Sequence, residues 1–391
     1  MAKFIVRRSL GRVLAGAGVL ALTLTLAGTA SYAGGPGRPT LTGFASLPAG
    51  TFVPGSEPSG SLVTGNTNGF AVPFADQPVQ GFSGIADNGD GTFDVLSDNG
   101  YGNQANSGDF LLRVQRLAPV FRNGTVDVLG GINLTDPNGK VTWPLTRPDR
   151  VLTGADFDVE SIVKDRDGGY WIGDEFGPYL LHFDRAGRLL DAPVPLAGVV
   201  APETAARTGG TATLGSSKGF EGMAASPDGR YLYPLLEGTV TGDPAGQLRF
   251  SEFDRRGGAY TSKRWTYQLD DPAYAIGDAI AVDRNRFLII ERDNGQGATA
   301  VHKKIYLAQK RGGALQKTLL VDLMNIANPR KLGGFGTTFT FPFQTIEDVV
   351  ILDNRTIAVL NDNNFPFSSG RTAGVADNNE WITISLPRPL R

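Results

Sequence analysis

The sequence predicts an all-β protein, a β-propeller of four-stranded antiparallel blades, and three observations carry that prediction. The 391 residues hold 52 glycines and 24 prolines, the composition of short strands joined by turns, and no long helical periodicity interrupts them. Five segments, recurring about every 60 residues, each run apolar stretch, Asp/Asn/Gly turn, apolar stretch, as hairpins of a repeat protein do. The residue opening each hairpin also keeps a nearly constant distance from the acid closing it. Ser83 to Asp98, Glu160 to Glu175, Asp278 to Asp293 and Glu347 to Asp362 are 15 residues apart, and Glu221 to Glu237 are 16 apart. A β-sandwich, the competing all-β fold, does not require that register.

Residues 1–33 read as a signal peptide. Lys3, Arg7, Arg8 and Arg12 precede an apolar stretch from Val13 to Ala27, and Ser31-Tyr32-Ala33 offers a cleavage site. Arg7-Arg8 resembles a twin-arginine export signal, and an ordinary Sec signal fits nearly as well. The stretch is too short and weakly apolar for a stable membrane anchor. The expectation is a secreted, extracellular protein. Removing the signal leaves 33 basic against 39 acidic residues, a net charge of −6, which argues against a nucleic-acid partner. There is no cysteine, so the chain holds together by core packing, with or without a metal. Residues 34–80 form a Gly/Pro-rich linker followed by a closing strand or an irregular blade.

The repeat occupies residues 81–391. Its five copies turn at 87–91, 165–169, 226–229, 284–285 and 353–354. A third run follows each hairpin (Phe110 to Leu117, Tyr179 to Asp184, Leu248 to Asp254, Lys304 to Ala308, Trp381 to Leu386), and a fourth often follows that (Thr125 to Leu129, Arg264 to Leu269, Thr318 to Leu323). Five repeats are counted directly. Residues 41–80 either complete the last blade or build a sixth, and general propeller experience leans towards six.

The first strand of a propeller blade lines the central channel. Residues opening that strand and closing the next therefore gather at one mouth. Glu160, Glu221, Asp278 and Glu347 are expected as an inner ring, with Asp98, Glu175, Glu237, Asp293 and Asp362 just outside it. Carboxylates so crowded raise one another's proton affinity unless a cation intervenes. Glu160, Glu221, Asp278, Glu347 and Asp362 are candidate metal ligands, and an all-oxygen set suits Ca²⁺. The competing role is structural: the same acids can bond backbone amides between blades. Glu237 or Glu175 is the candidate general base. Lys218 and Arg292 are candidates to clamp an anionic substrate, with Arg371 in the 366–379 loop as a third cation nearby. The DNGDG and DRDGG turns lack EF-hand spacing and read as hairpin turns. No G-x-S-x-G is present. Of the two histidines, His182 falls in an outer strand and His302 at a strand start, expected on the surface.

SGIA at 83–86, DVES at 158–161, GDEFG at 173–177, KGFEGMAASPDGRYLY at 218–233, LIIER at 288–292, and TIEDV with NDNNF at 345–365 together resemble the phytase-like domain family, described as having esterase-like activity of phytase. The resemblance runs in order from about residue 80 to 386. It implies an exported bacterial protein of propeller type that hydrolyses esters or phosphoesters. The positions matching the family's charged motifs are Glu160, Glu175, Lys218, Glu221, Glu237, Glu291, Arg292, Glu347 and Asp362. Asp278 stands where a Glu is more usual, Asp348 where a Gly is usual, and Asn361 where an Asp is common. The short Asp278 side chain reaches less far towards the axis. The function expected is thus a secreted, Ca²⁺-dependent hydrolase of a small anionic or ester substrate. The alternatives are a non-catalytic exported propeller binding a ligand or cell-wall partner, and a lactonase-like hydrolase.

Overall fold

The turns close as their side-chain chemistry dictates. Asp87 Oδ1 accepts from Gly89 N at 2.7 Å, Asp283 Oδ1 from Asn285 N at 2.8 Å and Asp353 Oδ1 from Arg355 N at 2.6 Å, the local bonds that favour Asp at such corners. The computed structural model describes residues 37–391; the expected signal peptide lies outside the described residues.

An N-terminal strand, β1 (Thr40–Leu47), precedes the first hairpin. Blade 1 comprises β2 (Phe82–Asp87), β3 (Phe93–Ser97), β4 (Arg113–Val120) and β5 (Thr125–Asn133). Blade 2 comprises β6 (Val159–Lys164), β7 (Tyr170–Asp174), β8 (Tyr179–Phe183) and the two-residue β9 (Val194–Pro195). A short helix, α1 (Pro202–Thr208), leads to blade 3, made of β10 (Phe220–Ala225), β11 (Tyr231–Leu236), β12 (Gln247–Asp254) and β13 (Ala259–Gln268). Blade 4 is β14 (Ala275–Ala281), β15 (Arg286–Arg292), β16 (Lys303–Arg311) and β17 (Ala314–Asp322). A small ladder of β18 (Ile326–Ala327) and β19 (Thr338–Phe339) precedes blade 5, which is β20 (Asp348–Ile351), β21 (Thr356–Leu360) and β22 (Asn379–Ser385).

Blade 5 takes its fourth strand from the other end of the chain. β1 pairs antiparallel with β22 from Thr40 opposite Ser385 to Leu47 opposite Asn379. The propeller therefore has five blades, and the lean towards a sixth is corrected: residues 41–47 finish blade 5, and the stretch up to residue 80 adds isolated bridges such as Phe52–Pro78 and Ser59–Phe74.

Both faces of most strands are covered, so the core lies in the seams between blades. Five apolar clusters fill five seams. Leu96 meets Ile172 between blades 1 and 2, and Phe220 meets Trp171 between 2 and 3. Leu235 meets Ile289 between 3 and 4, and Ile290 meets Val359 between 4 and 5. The fifth seam returns to the start, with Trp381 and Leu360 packed against Phe93 and Phe82. Phe93 and Trp381 stand edge to face with centroids 4.8 Å apart. A seam joining the last blade to the first closes the ring and covers the apolar faces of both sheets.

One irregularity recurs. In the hairpins of blades 1 to 4 the innermost strand carries a one-residue bulge, at Ser83, Glu160, Glu221 and Gly277. A bulged residue drops out of the ladder, and its side chain is re-aimed. In blade 5 the ladder starts with Asp348 opposite Leu360, which leaves Glu347 in the same place.

Candidate functional site

The bulges put Glu160 and Glu221, and the start of the blade 5 ladder puts Glu347, into one cavity, together with Asp98, Glu175, Glu237 and Asp362 from the ends of the second strands. Asp158, Lys218, Arg292, Ser217, Thr345 and Asn364 complete the polar wall of a space of about 130 Å³. That is room for an ion and a few waters, each of about 30 Å³, or for one small group of a substrate.

Eight carboxyl groups line this space and only two cations face them, Lys218 and Arg292. Lys218 ion-pairs with Glu237 Oε2 and stays 44% exposed at the rim. Arg292 is buried; its Nη2 donates to Glu347 Oε1 at 3.0 Å and Glu237 Oε1 at 3.2 Å, and lies 3.5 Å from Glu221 Oε1. Its Nη1 donates to Asn294 Oδ1 at 3.0 Å. Glu347 Oε2 accepts from Ser83 Oγ at 3.0 Å. Asp362 accepts from Asn364 N at 2.6 Å and Thr345 Oγ1 at 3.1 Å. Asp158 Oδ2 accepts from Ser217 Oγ at 2.8 Å.

The remaining oxygens define what the site lacks. Asp158 Oδ1, Glu175 Oε1 and Glu221 Oε1 are buried without any hydrogen-bond partner. Burial, reinforced by neighbouring acids, holds the carboxyls of Asp98, Glu160, Glu175 and Glu221 well above the usual carboxylate range. Burial lifts Asp158 and Glu347 too, against hydrogen bonds and, for Glu347, against Arg292. It pushes Asp362 up to about 8 with help from Glu347. Two trios offer one oxygen each within 4.8 Å of one another: Asp158, Glu160 and Glu175, and Glu175, Glu221 and Glu237. At that spacing two like charges repel by about 3.5 kcal/mol even at an effective dielectric constant of 20. A divalent cation removes the conflict, and all-oxygen trios with idle lone pairs fit one. The buried acidic clusters can therefore hold a metal ion.

Not every expected residue arrives. Asp278 does not line the cavity; its carboxylate accepts from Ala279 N at 2.7 Å and Val349 N at 3.0 Å, tying blade 4 to blade 5 in the structural role noted above. The bulge of blade 4 is Gly277, one residue earlier, where a Cβ would stand 2.0 Å from the Ile346 carbonyl oxygen. Only glycine fits there. The residue that reaches the cavity from the second strand is correspondingly Arg292, whereas Asp293 turns to Lys303 Nζ, 2.9 Å away, and to the amides of Val301 and His302. Arg371 lies elsewhere, paired with Glu380 and packed over Phe335 and Phe343. Asp158 was not among the expected residues; it lies just before β6 and reaches the cavity beside the bulged Glu160. Its place in the DVES motif, two residues before Glu160, was the available signal. His182 stacks on Trp171 at 4.2 Å and bonds Asp191 and Asp165, a structural position as expected. His302 is buried, not on the surface.

A larger space of about 660 Å³ opens at the hairpin-turn end of blades 2 and 3, beside Arg166, Trp171, Arg230 and Arg255. Arg230 pairs there with Asp254 and Arg255 with Asp165, so its charges are largely neutralised. Size alone does not make it the reactive site.

Residues 77–365 match the phytase-like family model, described as esterase-like activity of phytase. An uncharacterized secreted protein of Arthroderma benhamiae is 27% identical over 185 residues, 37% of this chain and 35% of the relative, so the match spans about a third of that protein's length. Among solved structures, luciferin-regenerating enzyme aligns over 79% of this chain and 78% of its own, with 10% identity and a TM-score of 0.39. A GH43 β-1,3-galactosidase aligns over 84% and 60%, with 10% identity and a TM-score of 0.44. The Dos1 propeller aligns over 81% and 69%, with 12% identity and a TM-score of 0.35. The propeller stands on its own five seams. No helix among the described residues is long and apolar enough to cross a membrane.

Proposed function

The chain belongs to the phytase-like family, and from that premise we propose that it is a secreted, Ca²⁺-dependent hydrolase of small ester or phosphoester substrates. The observation that carries this reading is the imbalance of eight carboxyls against two cations around one small cavity, with three oxygens left idle.

Asp158, Glu160 and Glu175 would hold the ion. When bound, Ca²⁺ supplies polarisation of the ester or phosphoryl oxygen and acidifies a water. Lys218 and Arg292 occupy the two oxygens of Glu237, and Glu175 is common to both ligand trios. Glu221 then serves as general base: its Oε1 has no hydrogen-bond partner, with Arg292 Nη2 standing off at 3.5 Å, and burial among neighbouring acids raises its proton affinity. Lys218, half in solvent, draws an anionic group to the rim. Arg292 is a positioning residue that fixes Glu221, Glu237 and Glu347. Only the reacting group of the substrate enters the cavity, and the rest stays outside. The test is turnover of chromogenic phosphate, acyl and lactone esters before and after exhaustive chelation; activity indifferent to chelation removes the ion from the mechanism. The same charge imbalance also supports a non-catalytic propeller whose cation only locks the channel, and that alternative predicts Ca²⁺ binding without turnover of any ester.

A further inference from the structure

Glu291 and Arg292 are neighbours at the end of β15 and serve opposite sides of the sheet, as alternation along a strand requires. Arg292 faces the acid cavity. Glu291, fully buried, faces a second polar cluster made with His302 at the start of β16 and Asp270 in the loop before β14. We propose that His302 Nε2, Glu291 Oε1 and Asp270 Oδ2 form a second cation site, independent of the acid cavity, for a transition-type divalent ion such as Zn²⁺.

Three features of the cluster point that way. His302 is 93% buried by its side chain, and its Nε2 has no hydrogen-bond partner. It lies 3.4 Å from Glu291 Oε1 and 3.9 Å from Asp270 Oδ2, too far for good N–H···O bonds. Two ligands each about 2.1 Å from a tetrahedral ion lie about 3.4 Å apart. The carboxylates are also held from behind. Lys317 Nζ takes the far oxygens, Glu291 Oε2 at 2.5 Å and Asp270 Oδ1 at 2.8 Å. Tyr267 Oη donates to Glu291 Oε2 at 2.7 Å, while Tyr306 Oη at 2.5 Å and Asp270 N at 2.8 Å bond the ligand oxygens Asp270 Oδ2 and Glu291 Oε1 themselves, each leaving a second lone pair. Such outer contacts orient ligands in metal sites. Lys317 offsets one of the two negative charges, so an ion here meets a net single charge rather than a surplus. An imidazole with two carboxylates favours Zn²⁺ over Ca²⁺, which takes oxygen only. Asp270 is 39% exposed and opens the site to solvent.

The test is Zn²⁺ titration calorimetry on the full chain in excess Ca²⁺. We expect a Zn²⁺ affinity retained in Glu160→Gln and lowered about ten-fold or more in His302→Gln and Asp270→Asn. Because the chain has only two histidines, ¹⁵N-imidazole spectra of the unmutated protein report the donor directly, whatever the variants' folding. The Nε2 resonance of His302 should move on adding Zn²⁺. An unmoved resonance, no Zn²⁺ uptake, or unchanged affinity in folded His302→Gln overturns the site.

Discussion

Arg292 donates from Nη2 to Glu347 Oε1 at 3.0 Å, joining blade 4 to blade 5 at the position where blades 2 and 3 place the carboxylates Glu175 and Glu237. This single guanidinium is the main neutralising charge inside an otherwise acidic channel mouth. Replacing it by methionine keeps the volume and leaves three glutamates without their partner. Arg292→Met should cost about 3–5 kcal/mol in urea denaturation at pH 7, and much less at pH 5, where protons take over. An equal loss at both pH values would show that packing, not charge, sets the effect.

Raised proton affinities give stability a definite pH slope. Asp278 is pushed up to about 7 and Asp362 to about 8 by burial, and Glu160, Glu175 and Glu221 are held higher than usual for the same reason. Groups that bind protons more tightly folded than unfolded stabilise fully below the unfolded pKa, and that stability is lost as pH rises through the folded one. Chelated protein should therefore lose Tm steadily from about pH 4 to about pH 8. Saturating Ca²⁺ should restore most of it at the upper end, since the ion binds the deprotonated form. Calorimetry with and without chelator checks both halves.

Ligand and base separate by two variants. Glu160→Gln should weaken Ca²⁺ about ten-fold or more by calorimetric titration. Glu221→Gln should leave Ca²⁺ affinity within about three-fold but lower kcat about a hundred-fold or more. Reversal of the two effects would exchange the roles.

Asp278 provides the contrast within the expected ring. Its carboxylate serves two backbone amides, so Asp278→Asn should lower stability by about 1–3 kcal/mol and leave Ca²⁺ affinity unchanged. A large loss of Ca²⁺ binding would put Asp278 back among the ligands.

The repeat was legible because hairpins of alternating apolar residues and Asp/Gly turns declare themselves locally. The acid spacing also pointed to one end of the molecule, and Glu160, Glu175, Glu221, Glu237, Glu347 and Asp362 do meet there. Spacing has no phase, however. Gly277 to Arg292 is 15 residues, as is Asp278 to Asp293, and only the bulge, with the Ile346 carbonyl pressed against Gly277, decides which pair faces the channel. Nor could local pattern find His302, whose burial depends on Tyr274 and Tyr306 packing around its ring. The blade count was hidden for a related reason: β1 belongs to a sheet whose other strands lie at the far end of the sequence.

That pairing has a consequence for biosynthesis. Thr40 to Leu47 leave the ribosome before any blade exists, yet their partner strand, Asn379–Ser385, follows only after the strands of blades 1 to 4 have been made. Four blades can assemble in turn on the growing chain, but blades 1 and 5 cannot be latched until β22 has emerged. A product interrupted before blade 5 thus carries an open, sticky flank at Phe82 and Phe93, and the arrival of Leu360 and Trp381 is itself the step that covers it.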